Sequence, residues 1–403
     1  MKLGIRNFRS IKQADLDLAP ITVLYGPNGA GKSSLIYALL TLRNMIINPN
    51  REMVTFFNYG FANLGDFAGV VFDHRMQEEI EVTIEIPHSK NKDEWVSYKL
   101  NLGVDSGLLG LSYNFHDKAS HSFSLLLPVT FPYPANQQTE HTVRQDGAFV
   151  ISWNGFLALV KPETPNDALL EESNRLAKTL NEVVETIRGI GVVPLKRGFT
   201  KPTFGLVPSP QPESEDEIAN DLAKDKYLRG KVNHYVQQIL DRDFQYNSSP
   251  GSPVFSLDTI DRNTGTSCEL VNDGFGVNQI VFLLAKCLKA DNKWVCIEEP
   301  EVHLHPTAIR NLALSLANIT HAEGKRFIIS THSETFLLAL LGLVARQELA
   351  PSELSCYLTT KTGRETHFEP QQVTKDGQIS GGLSSFMAGE LEDIAAFLGV
   401  QAK

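Results

Sequence analysis

The sequence predicts an α/β fold that carries an antiparallel β-lobe and an inserted helical region. Three observations lead there. Residues 1 to 45 read as strand, strand, glycine-rich loop and helix. Residues Ile80 to Ile86 alternate strictly between apolar and polar, the mark of a half-buried antiparallel strand. From Ser267 onward the chain returns to α/β character.

Taken in order, Lys2 to Phe8 and Ile21 to Tyr25 are the first strands, and Ser33 to Arg43 is the helix after the loop. Val96 to Leu102 and Gly110 to Phe115 are expected to neighbour the alternating strand, and β character continues through Ser122 to Trp153. Between Asn166 and Arg188 the residues Leu169, Leu176, Leu180, Val183, Val184 and Ile187 recur at helical spacing. They give one amphipathic helix, far short of the sustained heptads of a coiled-coil arm. Residues 198–217 carry Pro202, Pro208, Pro210 and Pro212 and an acidic run from Glu213 to Glu217, so a mobile loop is expected there. A second helix is expected over Asp216 to Leu240, and another loop over Asn247 to Pro253. No internal repeat is visible.

With 403 residues and 42% hydrophobic content, the chain can bury one large core or two modest ones. A formal charge of -10 and a pI near 5.6 argue against a wholly basic surface that wraps nucleic acid, while leaving room for a local basic patch. Cys268, Cys287, Cys296 and Cys356 form no CxxC pair, which implies neither zinc nor a disulfide framework. The N-terminus alternates polar and apolar residues, unlike a signal peptide. No segment reaches the ~20 apolar residues that span a bilayer. A reducing cytoplasm is the expected location.

The strongest chemical signal is Gly26-Pro27-Asn28-Gly29-Ala30-Gly31-Lys32-Ser33, followed by Ser34, which fits G-x-x-x-x-G-K-[ST]. It follows the β-branched run Ile21-Thr22-Val23 and precedes Leu35 to Leu40, as a phosphate loop between strand and helix must. Glycines let backbone N–H groups converge on phosphate, the helix N-terminus adds partial positive charge, and Lys32 neutralises the β- and γ-phosphates. ATP and Mg²⁺ are therefore the expected cofactors, with Ser33 as a metal ligand. A ligand-free glycine turn is the plain alternative, and the strand-before, helix-after setting weighs against it.

A second signal is the apolar run Trp294 to Ile297 ending in Glu298-Glu299-Pro300-Glu301. Acids that end a strand are often only a solvated turn. Beside a phosphate loop they orient magnesium and the attacking water, so Glu298 is expected to act on the metal through its water shell and Glu299 as general base. A third apolar run, Phe327 to Ile329, leads into Ser330-Thr331-His332-Ser333. A lone histidine after a strand is more often structural, but His332 lies 33 residues after Glu299, one helix later, where a neutral imidazole can contact the γ-phosphate or the water.

In that order, GPNGAGKS, IEEPEVHLHP and STHSE resemble the ABC-type P-loop ATPases of the SMC and RecF-like group, especially those related to the overcoming-lysogenization-defect (OLD) proteins. The resemblance covers residues 1–90 and 265–345. It implies an ABC-type P-loop nucleotidase in which Glu298 is the Walker B acid, Glu299 the catalytic glutamate, Glu301 to His305 the D-loop region and His332 the switch histidine. Asn272 to Gln279, NDGFGVNQ, is similar to the group's D-x-G-F-G-x-x-Q signature. Gly274, Gly276 and Asn278 are thereby expected to complete the ATP site of a partner chain, in a head-to-tail homodimer closed by ATP. The ATPase domain is expected to take residues 1–160 and 261–345, with a helical insertion at 161–260 and a C-terminal extension at 346–403.

Two departures stand out. The glutamine loop has no clear residue: Gln77 sits in an uncertain register, and Asp66 or Asp73 are alternatives. The related nucleases carry a C-terminal TOPRIM domain, whereas about 70 residues follow His332 here and lack its DxD pair. The expected function is a Mg-dependent ATPase that switches or clamps nucleic acid, or a partner effector such as a nuclease or toxin, in bacterial antiviral defence or DNA repair. The alternative is the ATPase subunit of a membrane transporter, which the β-lobe and the EEPEVHLHP pattern disfavour. A self-contained nuclease would need a carboxylate cluster beyond the ATPase site.

Overall fold

A hairpin opens the chain: β1 (Lys2–Phe8) pairs antiparallel with β2 (Ile11–Asp17), burying Leu3, Ile5 and Phe8 from one strand and Ile11, Ala14 and Leu16 from the other. The second strand was not expected from sequence, because Lys12, Gln13, Asp15 and Asp17 blur its apolar face. In this computed structural model the described residues are 1–403 without 89–93, 116–120, 146, 165, 209–212, 381 and 383–403. The middle of the expected proline-rich loop and most of the expected extension beyond residue 382 thus lie outside the described residues.

Along the chain follow β3 (Ile21–Tyr25), α1 (Lys32–Ile47), α2 (Phe67–Val70), β4 (Ile80–Pro87), β5 (Trp95–Leu102), β6 (Ser106–Phe115), β7 (His121–Thr130), β8 (Thr139–Gln145), β9 (Gly147–Trp153) and β10 (Ala158–Pro162). Next come α3 (Asp167–Arg188), β11 (Ile190–Val193), β12 (Thr203–Gly205), α4 (Glu215–Lys224), α5 (Lys226–Leu240), β13 (Arg242–Ser248), β14 (Val254–Asp261) and β15 (Ser267–Glu269). The last described elements are α6 (Phe275–Leu288), β16 (Trp294–Glu298), α7 (Pro306–Glu323), β17 (Arg326–Thr331), α8 (Glu334–Ala345), β18 (Leu354–Thr362) and β19 (Glu365–Gln371).

These elements form two compact units. One takes Met1–Leu18, Ser33–Ile190 and Lys361–His367; the other takes Ala19–Lys32, Gly191–Thr360 and Phe368–Lys403. The first unit is the antiparallel lobe, with a six-stranded sheet in the order β2-β1-β4-β5-β6-β7 and a three-stranded sheet β10-β9-β8. Alternation in β4 places Ile80, Val82 and Ile84 in its core. Within this unit α3 begins where Asn166 accepts the Leu169 N–H at 2.8 Å, and it buries Leu180, Val183, Val184 and Ile187.

The second unit is built on a six-stranded sheet in the order β11-β16-β17-β3-β18-β19, in which β16, β17, β3 and β18 run parallel. Both β3 and β16 are buried along their whole length, which is why they read as unbroken apolar runs. Helices α5 to α8 contribute Val232, Leu283, Leu312 and Leu340 to the same core. The helix expected over Asp216 to Leu240 is two helices. Asp225 is extended (φ -102°, ψ 101°) and its side chain accepts from the N–H groups of Tyr227 and Leu228, so it ends α4 and caps α5. Among the described residues no helix is long and apolar enough to cross a membrane.

Candidate functional site

Strand order places the chemistry. Glu298 on β16 pairs with Ser330 on β17, Thr331 on β17 pairs with Tyr25 on β3, and Tyr25 pairs with Leu358 on β18. The residues that follow on the first three strands, Glu299, His332 and Gly26, therefore leave the sheet at one end, beside Thr359 of β18. That end, the carboxyl end of the parallel strands, is where open α/β sheets bind ligands.

The loop after β3 folds as its glycines require. Gly26 has φ +142°, and a Cβ on it would lie 2.3 Å from the carbonyl oxygen of Thr359, so backbone of β18 packs where a side chain would stand. Gly29 has φ +77° and open space around it. Pro27, Asn28 and Gly29 are exposed at the tip, and the Ala30 N–H donates to Pro27 O at 3.3 Å. Gly31 and Lys32 lead into α1, whose first turn holds Ser33 and Ser34. Lys32 is buried, and its ammonium donates to Gly26 O at 2.8 Å and Pro27 O at 3.1 Å. Burial lowers its pKa, an effect opposed by the carboxylates of Glu299 and Glu301.

At the end of β16, Glu298 is buried and Glu299 sits in the left-handed region at φ 48°. For a non-glycine residue that conformation costs on the order of 1–2 kcal/mol, and such strain concentrates at functional sites. The turn is held by the Glu299 N–H donating to Ser330 O at 2.8 Å. His332 Nδ1 contacts the Glu299 carboxylate and lies 3.8 Å from Glu301 Oε1. Glu301 is 6% exposed; its Oε1 accepts from Thr331 Oγ1 at 2.6 Å and from the His332 N–H at 3.4 Å. The other oxygen, Oε2, is buried without a hydrogen-bond partner among the described residues. Burial raises the pKa of Glu299 and the Glu301 charge raises it further, against the pull of His332 and Lys32.

This arrangement brings together Lys32, Glu299 and His332, and adds Glu301, which sequence reading had placed only in the D-loop region. It also adds Arg197, for which the sequence held no signal. Its Nη1 donates to Glu298 O and its Nη2 to Glu299 O, both at 2.7 Å. Open space at Gly29, a buried unpaired carboxylate oxygen on Glu301 and the hard oxygen donors of Glu298 and Glu299 fit a phosphate and a magnesium ion.

The signature segment lies at the start of α6. Gly274, at φ +79°, precedes the first turn, and Phe275 is 75% exposed with its ring 5.6 Å from His303. A Cβ on Gly276 would lie 2.8 Å from His303 O, so this glycine packs against the D-loop region of its own chain. Asn278 is buried: Oδ1 accepts the Phe199 N–H at 2.7 Å, and Nδ2 donates to Phe199 O at 2.8 Å. Of the glutamine-loop alternatives, Gln77 is exposed, Asp66 caps α2 by accepting the Gly69 N–H, and Asp73 pairs with Arg364 and Arg75.

Comparison with known proteins gives a family and a fold. The model of the family described as "AAA domain, putative AbiEii toxin, Type IV TA system" matches residues 21–339. The OLD nuclease of Thermus scotoductus is 22% identical over 349 residues, 83% of this chain and 59% of that protein, so the chain spans less than two thirds of that relative. The DNA replication and repair protein RecF of Roseiflexus castenholzii is 41% identical over 75 residues, 18% of this chain and 19% of that one. Among solved structures, an Smc head bound to the C-winged helix domain of ScpA superposes with a TM-score of 0.51 at 12% identity, covering 93% of this chain and 98% of that one. That likeness shows the fold: an SMC-head-like α/β fold of the ABC type. The chain belongs to the AAA domain family whose model it matches, and is a P-loop ATPase of the SMC, RecF and OLD type.

Proposed function

We propose that this member of the AAA domain family binds and hydrolyses ATP with Mg²⁺, and that two copies close head to tail on the nucleotide to switch nucleic acid or a partner effector. The observation that carries the reading is the meeting of Lys32, Glu299, Glu301 and His332 at the carboxyl edge of one parallel sheet. Lys32 answers the β- and γ-phosphate charge. Ser33, and Glu298 through the water shell, would hold Mg²⁺, which would supply positive charge against the phosphates. Glu299 accepts the proton of the attacking water, whose oxygen bonds to the γ-phosphorus as ADP leaves; burial and the Glu301 charge raise its pKa, which strengthens it as a base. His332 holds that carboxylate in place.

For the partner's nucleotide, Gly274 and Gly276 offer backbone N–H groups and the positive end of α6. Asn278 itself has no donor to offer, since its amide is engaged by Phe199 and its backbone N–H donates to Gly274 O at 3.3 Å; its part is to hold the first turn of α6. The relatives named for OLD nuclease and for DNA replication and repair support a setting in antiviral defence or repair. Phosphate release with Mg²⁺, and sedimentation of Glu299→Gln with ATP or ADP, test the reading. Turnover in the wild type and a dimer with ATP alone are expected. Absence of phosphate release removes the hydrolase, and a monomer under every condition removes the dimer.

A further inference from the structure

Arg197 reaches across the sequence to the strained turn at Glu299. Its guanidinium donates to three carbonyls: Pro194 at 3.1 Å, and Glu298 and Glu299 at 2.7 Å each. Two planar donors thus hold two consecutive peptide groups where Glu299 is left-handed, a fixture that a lysine's single ammonium cannot reproduce. Burial lowers the Arg197 pKa to about 10, so the charge persists at neutral pH in reach of the field of Glu298, Glu299 and Glu301. Its Nε is buried and has no hydrogen-bond partner among the described residues.

Two residues later the same segment meets the signature helix. Both backbone groups of Phe199 are clasped by the Asn278 amide, and Gly198, at φ +116°, leaves the room: a Cβ there would lie 2.8 Å from Asn278 Oδ1. Further along α6, Lys286 bonds Glu213 at 2.5 Å, and just past its end Lys289 bonds Glu217 at 2.7 Å and Asp221 at 2.8 Å. Asn278 in the first turn of α6 is thus bonded to Phe199, two residues from the guanidinium that holds the Glu298 and Glu299 carbonyls.

We propose that Arg197 is a positioning residue for Glu299, and that segment 194–199 ties the setting of that carboxylate to the N-terminal end of α6. Closure of a second chain on the signature segment would then align the base, so hydrolysis follows assembly. This rests on Glu299 being the base.

The test compares kcat and nucleotide Kd for wild type, Glu299→Gln, Arg197→Ala, Arg197→Lys, Asn278→Ala and the Arg197→Ala/Asn278→Ala double variant. Misplacement of a catalytic group by about 1 Å costs ~100-fold, so Arg197→Ala is expected to lose about that in kcat with Kd changed less than about 3-fold. Millimolar ethylguanidinium should restore at least ~10-fold of that loss, and none of the loss in Glu299→Gln. Arg197→Lys, with one donor centre, should remain slow. Asn278→Ala should lower kcat at unchanged Kd, and the double variant should be no slower than Arg197→Ala, because both act on one path. Wild-type kcat in Arg197→Ala, a parallel loss of Kd and kcat, failure of ethylguanidinium to restore turnover, or losses that multiply in the double variant would each overturn the proposal. Absent turnover in the wild type, or full turnover in Glu299→Gln, would instead overturn the functional reading beneath it.

Discussion

Thr331 Oγ1 donates to Glu301 Oε1 at 2.6 Å, which pins a buried carboxylate beside Glu299 and His332. The consequence is electrostatic. The Glu301 charge adds to burial in raising the pKa of Glu299, so the proton-accepting form is lost as pH falls through that raised value. Glu301→Gln keeps an oxygen for Thr331 and removes the charge. Its kcat profile should therefore have an acidic limb at lower pH than the wild type. An unmoved limb would show that Glu301 does not tune the base.

Lys32→Ala should weaken ATP binding by about 100-fold, about 2.7 kcal/mol. The variant loses the loop's cation and strips Gly26 O and Pro27 O of their donor. Titration calorimetry reads it. An affinity within a few-fold of wild type would sink the phosphate-loop reading.

Glu299→Gln should keep nucleotide affinity within a few-fold while kcat falls by roughly 10²- to 10⁴-fold, the span of general-base removal. The amide matches the carboxylate in shape but cannot take the water's proton. Single-turnover phosphate release separates this from slow product release. If hydrolysis survives at the wild-type rate, the base is elsewhere and Glu298 is tested next.

Gly26→Ala combines two penalties. The new Cβ would meet Thr359 O at 2.3 Å, and φ +142° lies where L residues are strained. A loss on the order of 2–4 kcal/mol is expected from strain and backbone displacement together. Urea unfolding measures it, and a variant as stable as wild type would contradict the close approach of loop and β18.

Sharing of sites between chains is best tested at Phe275. Arginine at Gly276 would strike His303 O within its own chain, so its defect would not report on a partner. Phe275 is 75% exposed, and Phe275→Asp leaves the core untouched. In an exchanged mixture with Lys32→Ala, one site of each mixed pair carries both lesions and the other none. Recovery of roughly a quarter of wild-type turnover is expected for a two-fold dimer with random exchange. Activity no higher than that of the two variants alone would place Phe275 in a cis role and end the head-to-tail model.

The sequence by itself determined the phosphate loop, the carboxylate strand and the histidine strand, because each obeys a local rule: glycines where the backbone must approach a neighbour, and apolar runs where a parallel strand is buried on both faces. It determined α3 through helical spacing, and missed the break at Asp225 because charged neighbours on both sides leave the apolar period unbroken. Only the tertiary structure decided that β17 lies between β16 and β3, which sets His332 against Glu299. It alone decided that Glu301 turns inward to Thr331, and that Arg197 holds carbonyls 101 and 102 residues away. The pairing of Asn278 with Phe199, 79 residues distant, is of the same kind. A hydrogen bond between segments so far apart leaves no period or spacing in the chain; it exists only once the sheet's order and register have brought the two backbones together.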